Sequence, residues 1–276
     1  MDKTVFPNDW KAALYIAIQA CRQGREVLLD HFGRLQHVEK KFMAGLVSEA
    51  DKGSEQVICD YLRKAYPYCE FLGEESDAAG ARVEAGRAGP QGRWILDPLD
   101  GTTNYVHRFP IFCISLGLEV AGELKLAVID VPLLNETYTA IRGQGAFVNG
   151  RPIRVSATEE LEDTLLATGF FAENKTALEE QIRLFTGIVG DVRGVRRAGA
   201  AAYDLTQVAC GVFDGFWEQN LKPWDVAAGQ LLVEEAGGRV TTYSGAAHDP
   251  YQTSLVAANP VISQKILQRF GHLRKT

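Results

Sequence analysis

Trp94-Ile95-Leu96-Asp97-Pro98-Leu99-Asp100-Gly101-Thr102-Thr103-Asn104 is the stretch that decides how this chain is read. A short apolar strand, Trp94–Leu96, runs directly into two carboxylates three residues apart. Pro98 fixes one backbone angle between them, so the pair is presented with little conformational freedom. Gly101 and Thr102 then allow a tight turn and a helix start. An ordinary core strand has no use for paired acids at its exit. Carboxylates beside free backbone N–H groups can hold hard cations and a phosphate at once.

The two acids repel each other unless something cationic sits nearby. No Lys or Arg lies between Asp97 and Asn104. A divalent ion answers that charge, and all-oxygen ligation favours Mg²⁺ or Mn²⁺ over zinc. Further acids recur where apolar segments end: Glu74 after Phe71-Leu72-Gly73, Asp225 after Pro223-Trp224, and Asp51 after Val47-Ser48-Glu49-Ala50. Taken singly, an acid at a helix start is an N-cap or a dipole partner.

Outward from this core, helical spacing predicts a long helix from an N-cap at Asn8 to about Phe32, ended by Gly33. A second helix is expected after Asp51, with Pro67 beyond its end. Residues Asp77 to Gly92 read as an exposed loop. Strands are expected at Ile111–Val120, Glu123–Val131, Glu136–Ile141 and Ala146–Val148. Ala121-Gly122 and Asn149-Gly150 supply turns. The second half alternates helix at Asn174–Val189, helix at Ala200–Cys210, strand at Phe213–Glu218, a helix from Pro223 to Gly237, then strands at Arg239–Thr242 and Leu255–Ala258. Mixed α/β layers fit this alternation, divided at residues 149 and 150.

Composition sets limits. The chain has 276 residues, 46% hydrophobic and 23% charged, enough for a large core. A net charge of −6 argues against nucleic acid as the main partner. Five scattered cysteines, Cys21, Cys59, Cys69, Cys113 and Cys210, include no C-x-x-C pair and read as reduced structural thiols in a cytoplasmic protein. No signal peptide and no apolar run of about 18 residues is visible, so no membrane partner is expected.

With Gly73-Glu74-Glu75-Ser76 upstream and Trp224-Asp225-Val226-Ala227-Ala228-Gly229 downstream, the Trp94–Asn104 string resembles the inositol monophosphatase family of Mg²⁺-dependent, lithium-sensitive phosphatases. Val47–Asp51, the Gly143–Gly150 stretch, Arg196–Glu218 and Glu235–Gly238 carry the likeness across nearly the whole chain. The resemblance implies a layered α-β-α-β-α fold and a homodimer. It implies that Glu74, Asp97 and the Leu99 carbonyl hold one ion, and that Asp97, Asp100 and Asp225 hold a second. A third, weaker ion joins with substrate. Gly101 and Thr102 would receive the phosphate, and Thr102, paired with Asp51, would orient a metal-activated water. Glu218 would accept hydrogen bonds from ring hydroxyls, beside a wall formed by Gly199, Ala200 and Ala201. His107, Arg196 and Asp214 are read as structural.

Two departures stand out: Gly45 and Ser48 replace the usual Asp and Thr of the first acidic motif, and Ala200 replaces Ser or Thr. The expected activity is hydrolysis of inositol 1-phosphate or a similar polyol or sugar phosphate by metal-activated water. Fructose bisphosphatase, histidinol-phosphate phosphatase and nucleotide 3′-phosphatase activities are the alternatives, and a non-catalytic binding or regulatory protein is the remote one.

Overall fold

The structure, a computed structural model, describes residues 6–40, 46–75, 88–171 and 175–273. Helix α1 (Trp10–His31) starts from Asp9, whose side chain accepts the Ala12 N–H at 3.0 Å. The cap is therefore Asp9 and not Asn8, because only Asp9 stands where its carboxylate reaches an orphan amide of the first turn. Ala13, Ala17, Ala20, Cys21, Gly24 and Leu28 form its buried stripe, and Gly33 follows the helix at φ +74°.

A small ribbon, β1 (Val38–Lys40) paired with β2 (Leu46–Ser48), leads into α2 (Glu49–Ala65). This helix begins before Asp51, earlier than expected. Ser48 caps it, and the Asp51 side chain accepts the Ser48 N–H at 2.8 Å, closing a capping box. The Gly45 departure and most of the expected loop, residues 77–87, lie outside the described residues.

The larger sheet has seven strands in sequence order: β3 (Glu70–Gly73), β4 (Arg93–Asp100), β5 (Cys113–Val120), β6 (Glu123–Val131), β7 (Glu136–Ile141), β8 (Ala146–Val148) and β9 (Arg151–Pro152). Neighbours pair antiparallel except β3 and β4, which run parallel. Ala121-Gly122 and Asn149-Gly150 both take positive φ at each residue, as two-residue hairpin turns require. After β4 comes the short helix α3 (Thr102–Val106).

The second sheet has five strands ordered β11 (Gly194–Arg196), β10 (Leu165–Thr168), β12 (Gly215–Gln219), β14 (Ser254–Ala258), β13 (Arg239–Thr241). Helices α4 (Lys175–Ile188), α5 (Ala201–Ala209), α6 (Pro223–Glu235) and α7 (Pro260–Leu273) complete the chain. Strands β10 and β11 and helix α7 were not foreseen, and β4 continues to Asp100 where a strand of three residues was expected.

Three hydrophobic cores define the layering. Helices α1 and α2 pack on one face of the seven-stranded sheet through Leu28, Ile58 and Leu62 against Trp94, Leu116 and Leu126. Helices α5 and α6 fill the space between the two sheets, with Leu205, Leu231 and Leu232 joining Ile95 and Ile129 to Phe216 and Leu255. Helices α4 and α7 cover the outer face of the second sheet through Leu184, Ile266 and Phe270. The result is the α-β-α-β-α arrangement that the resemblance implied. Helix α6 is buried from Val226 to Val233, as a helix between two sheets must be. The expected division at 149 and 150 falls in the β8–β9 turn, and the middle core crosses it. Among the described residues no helix is long and apolar enough to cross a membrane.

Candidate active site

Strand β4 sets the geometry. All eight of its residues are buried. It pairs Asp97 with Ser115 and Asp100 with Cys113 on β5, and the register shifts between those two pairs. Pro98 falls inside the irregularity, where its missing N–H breaks no ladder bond. The shift separates the two acids from ordinary strand alternation and leaves both at the strand's end. On the other side, Gly73 pairs with Leu96 in parallel register, which delivers Glu74 beside Asp97.

Backbone contacts then fix each acid. Asp97 Oδ1 accepts the Leu99 N–H at 2.9 Å. Asp100 Oδ2 accepts the Ala202 N–H at 2.7 Å and the Cys113 thiol at 3.7 Å. Asp225 stands in the first turn of α6, where its Oδ2 accepts the Lys222 N–H at 2.7 Å. The Ser115 hydroxyl donates to the Trp224 carbonyl at 2.9 Å, which ties the start of α6 to the strand facing Asp97. Gly117 lets that helix lie close: a Cβ there would stand 3.3 Å from Ala227 Cβ. Gly101 turns the chain at φ +92°, and a Cβ there would stand 3.0 Å from the Ile111 carbonyl oxygen. Thr102 Oγ1 lies 3.1 Å from Asp51 Oδ1 and 3.0 Å from the Leu99 carbonyl, so its single proton serves one of them at a time.

The electrostatics show how strained this cluster is as free carboxylates. Burial raises the Asp97 carboxyl well above the usual range, and Glu74, Asp100 and Asp225 each push it further. Asp225 is raised by burial and then by Asp100. Burial carries Asp100 up to about 6, opposed by its bond from Ala202. Burial also raises Asp51, against the hydrogen bonds from Ser48 and Thr102. No cation figures among the leading influences on Asp97 or Asp225. Among the described residues no three acidic, His or Cys side chains already close into a ligand cage. The donor set is nevertheless hard oxygen throughout and carries uncompensated negative charge, which fits Mg²⁺ or Mn²⁺.

Beside the cluster opens a cavity of about 150 Å³. Six of the sequence-expected residues line it: Asp100, Gly199, Ala200, Ala201, Glu218 and Asp225. Glu74 neighbours Asp97, which accepts the Leu99 N–H; Thr102 neighbours Asp51; and Gly101 abuts Ala200. Ala200 caps α5 with no side-chain hydrogen bond, and Asp100 serves the Ala202 amide in its place. Glu218 reaches into the cavity with its carboxyl lifted to about 8 by burial, against the pull of Arg197.

Sequence reasoning missed Thr168, Gly169, Arg197 and Asp204 in the same lining. Arg197, not Arg196, faces the cavity; Arg196 is exposed and donates to the Val195 carbonyl at 3.3 Å. Asp214 is structural as expected, its Oδ2 accepting the Leu165 N–H at 2.7 Å. His107 is exposed beyond the end of α3.

Metal-dependent hydrolysis of phosphate esters is the class of chemistry that this fold and its cluster of acids fit. The chain belongs to the inositol monophosphatase family, whose description matches residues 9–274. It is 42% identical over 250 residues to a Nus factor SuhB of Pseudomonas aeruginosa, covering 89% of this chain and 91% of that protein. It is 39% identical over 259 residues to an inositol monophosphatase of Mesembryanthemum crystallinum, covering 93% and 95%. A solved structure of the extragenic suppressor protein SuhB from Bartonella henselae superposes with a TM-score of 0.86 at 38% identity, covering 94% of this chain and 98% of that one.

Proposed function

We propose that this chain hydrolyses the phosphate monoesters of small polyols, inositol 1-phosphate foremost, in a Mg²⁺-dependent reaction for which Mn²⁺ can substitute. The observation that carries the reading is the clustering of the buried Asp97 and Asp100 with Asp225, close enough to raise one another's carboxyls, beside a cavity walled by Glu218. The name of the M. crystallinum relative supports the substrate class.

Glu74, Asp97 and the Leu99 carbonyl would hold one ion, and Asp97, Asp100 and Asp225 a second, with a third, weaker ion joining near Glu74 once substrate is bound. When bound, Mg²⁺ supplies a lowered water pKa and offsets charge on the phosphate and the departing oxygen. The chain's own groups do the rest. The backbone N–H groups of Gly101 and Thr102 receive phosphate oxygens at the turn. Asp51, fixed by its capping box, holds the Thr102 hydroxyl so that it can orient the attacking water. Glu218 accepts hydroxyls of the leaving group, and Gly199, Ala200 and Ala201 keep the wall free of bulk. Residues 1–149 thus supply most metal ligands, and residues 150–276 supply the pocket and Asp225. The working form is a cytoplasmic homodimer, inhibited by lithium.

Inorganic phosphate release tests this directly. Inositol 1-phosphate, fructose 1,6-bisphosphate, histidinol phosphate and a 3′-nucleotide are compared with Mg²⁺ and with chelator. We expect Mg²⁺-dependent turnover with the highest kcat/KM on inositol 1-phosphate. Turnover that survives chelation, or none on any of the four, overturns the reading. The presence of all four acids disfavours a purely binding role.

A further inference from the structure

Asp204 is the unexplained group in the cavity. It sits in the first turn of α5 and is 2% exposed. An acid there ordinarily serves the free amides of the helix start. This one does not, because the Ala202 N–H is already bound by Asp100. Among the described residues nothing donates to its buried Oδ1. It lines the same cavity as Glu218, and each of the two lies in the field of Arg197.

The surroundings of Glu218 sharpen the point. Its carboxylate occupies the space that a side chain at Gly169 would fill, so it is pressed against backbone on one side. No described residue donates a hydrogen bond to it. Arg197 is the one basic residue in the lining among the described residues, and it folds over Gly199 with a nitrogen 2.7 Å from where a Cβ would be. Two carboxylates thus face one small cavity, a single guanidinium balances them, and acceptor oxygens stand without donors. Buried acceptors left unpaired are costly, so such an arrangement is complementary to a ligand that brings several O–H donors.

We propose that Asp204 is a specificity-determining residue: with Glu218 it receives neighbouring hydroxyls of a polyol leaving group, and Arg197 balances the charge of the pair. This rests on the phosphatase reading above and extends it. Glu218 alone can take one or two hydroxyls. Asp204 adds a second, adjacent acceptor, which selects leaving groups with vicinal hydroxyls over aryl or simple alkyl ones.

The test compares wild type with Asp204→Asn on inositol 1-phosphate and on p-nitrophenyl phosphate, whose leaving group has no further hydroxyl. The amide keeps the size and exchanges an acceptor for a donor. We expect kcat/KM on inositol 1-phosphate to fall about 10- to 100-fold, mostly through KM, the loss of a buried hydrogen bond. The loss on the aryl ester should be at least about tenfold smaller. Equal losses on both esters, or none on either, overturn the proposal. Arg197→Gln, on the exposed rim, provides a second variant if Asp204→Asn does not fold; an unchanged preference between the two esters also overturns it. A saturation-transfer NMR measurement of free myo-inositol is independent of turnover. Binding to wild type and not to Asp204→Asn supports the proposal, and equal or absent binding sinks it. Wild type that hydrolyses neither ester refutes the phosphatase reading, and the inositol measurement then decides on Asp204 alone.

Discussion

Asp97→Asn should stabilise this protein in chelator while removing its response to Mg²⁺. The side chain is 2% exposed, and Glu74, Asp100 and Asp225 all raise its carboxyl. A carboxyl raised in the folded state holds its proton to higher pH folded than unfolded. Its penalty is therefore absent below the ordinary carboxylate range and grows as pH rises through the folded value. At pH 8 the asparagine avoids that penalty, and its Oδ1 can still accept the Leu99 N–H. Relief of an uncompensated buried charge is worth about 3 kcal/mol. For a chain of 276 residues the unfolding entropy is about 0.6 kcal/mol per degree, so Tm in chelator should rise about 5 °C. Wild type, by contrast, should gain about 5 °C from Mg²⁺ at a hundredfold excess over Kd, through about 2.7 kcal/mol of linkage. The variant should gain almost none and release no phosphate. Calorimetric melts of both proteins, with EDTA and with Mg²⁺, at pH 8 and pH 4, give all the comparisons. A variant that melts at or below wild type in EDTA at pH 8 refutes the electrostatic reasoning. One that gains as much from Mg²⁺ as wild type removes Asp97 from the ion site.

Gly101→Ala should lower stability by about 2 kcal/mol and cut turnover sharply, since the residue sits at φ +92° with the Ile111 carbonyl 3.0 Å from the new methyl; urea melts and phosphate release check both. Ala200→Ser should raise Tm by about 2 °C by giving α5 a hydroxyl cap, and a drop instead would mean that the hydroxyl displaces Asp100 from the Ala202 amide. Burial lowers His248 to about 4 while it hydrogen-bonds Gln230 at 2.9 Å. The unfolded chain binds that proton first, so stability should fall as pH drops from about 6.5 to about 4, by at most about 3 kcal/mol. His248→Asn should flatten that segment of a stability-against-pH curve, and an unchanged slope would count against it.

The acidic string was legible as a cluster because its features are local: two acids, Pro98 and Gly101 lie within one turn of chain. The two hairpins were legible for the same reason, since Asn149-Gly150 and Ala121-Gly122 announce positive φ. The extent of β4 was not. Its shift against β5 depends on a partner that no local pattern names. Strands β10 and β11 are too short for periodicity to register, and each becomes a strand only through pairing. Helix α7 did carry a signal that was overlooked. Asn259 stands before Pro260, and its Oδ1 accepts the amides of Val261 and Ile262 at 3.0 and 2.9 Å. Asp204 escaped notice because an acid early in a helix looks like a dipole partner, and only the cavity reveals its company.

Helix α6, sealed between two sheets, carries Asp225, the last acid of the proposed ion sites, and its sequence follows every strand of the first sheet. A nascent chain emerging from the ribosome therefore carries Glu74, Asp97 and Asp100 long before Asp225 arrives to join them. Only the proposed second ion site, the one that needs Asp225, would have to wait for α6 to dock. Products that stop short of α6 would lack that second site.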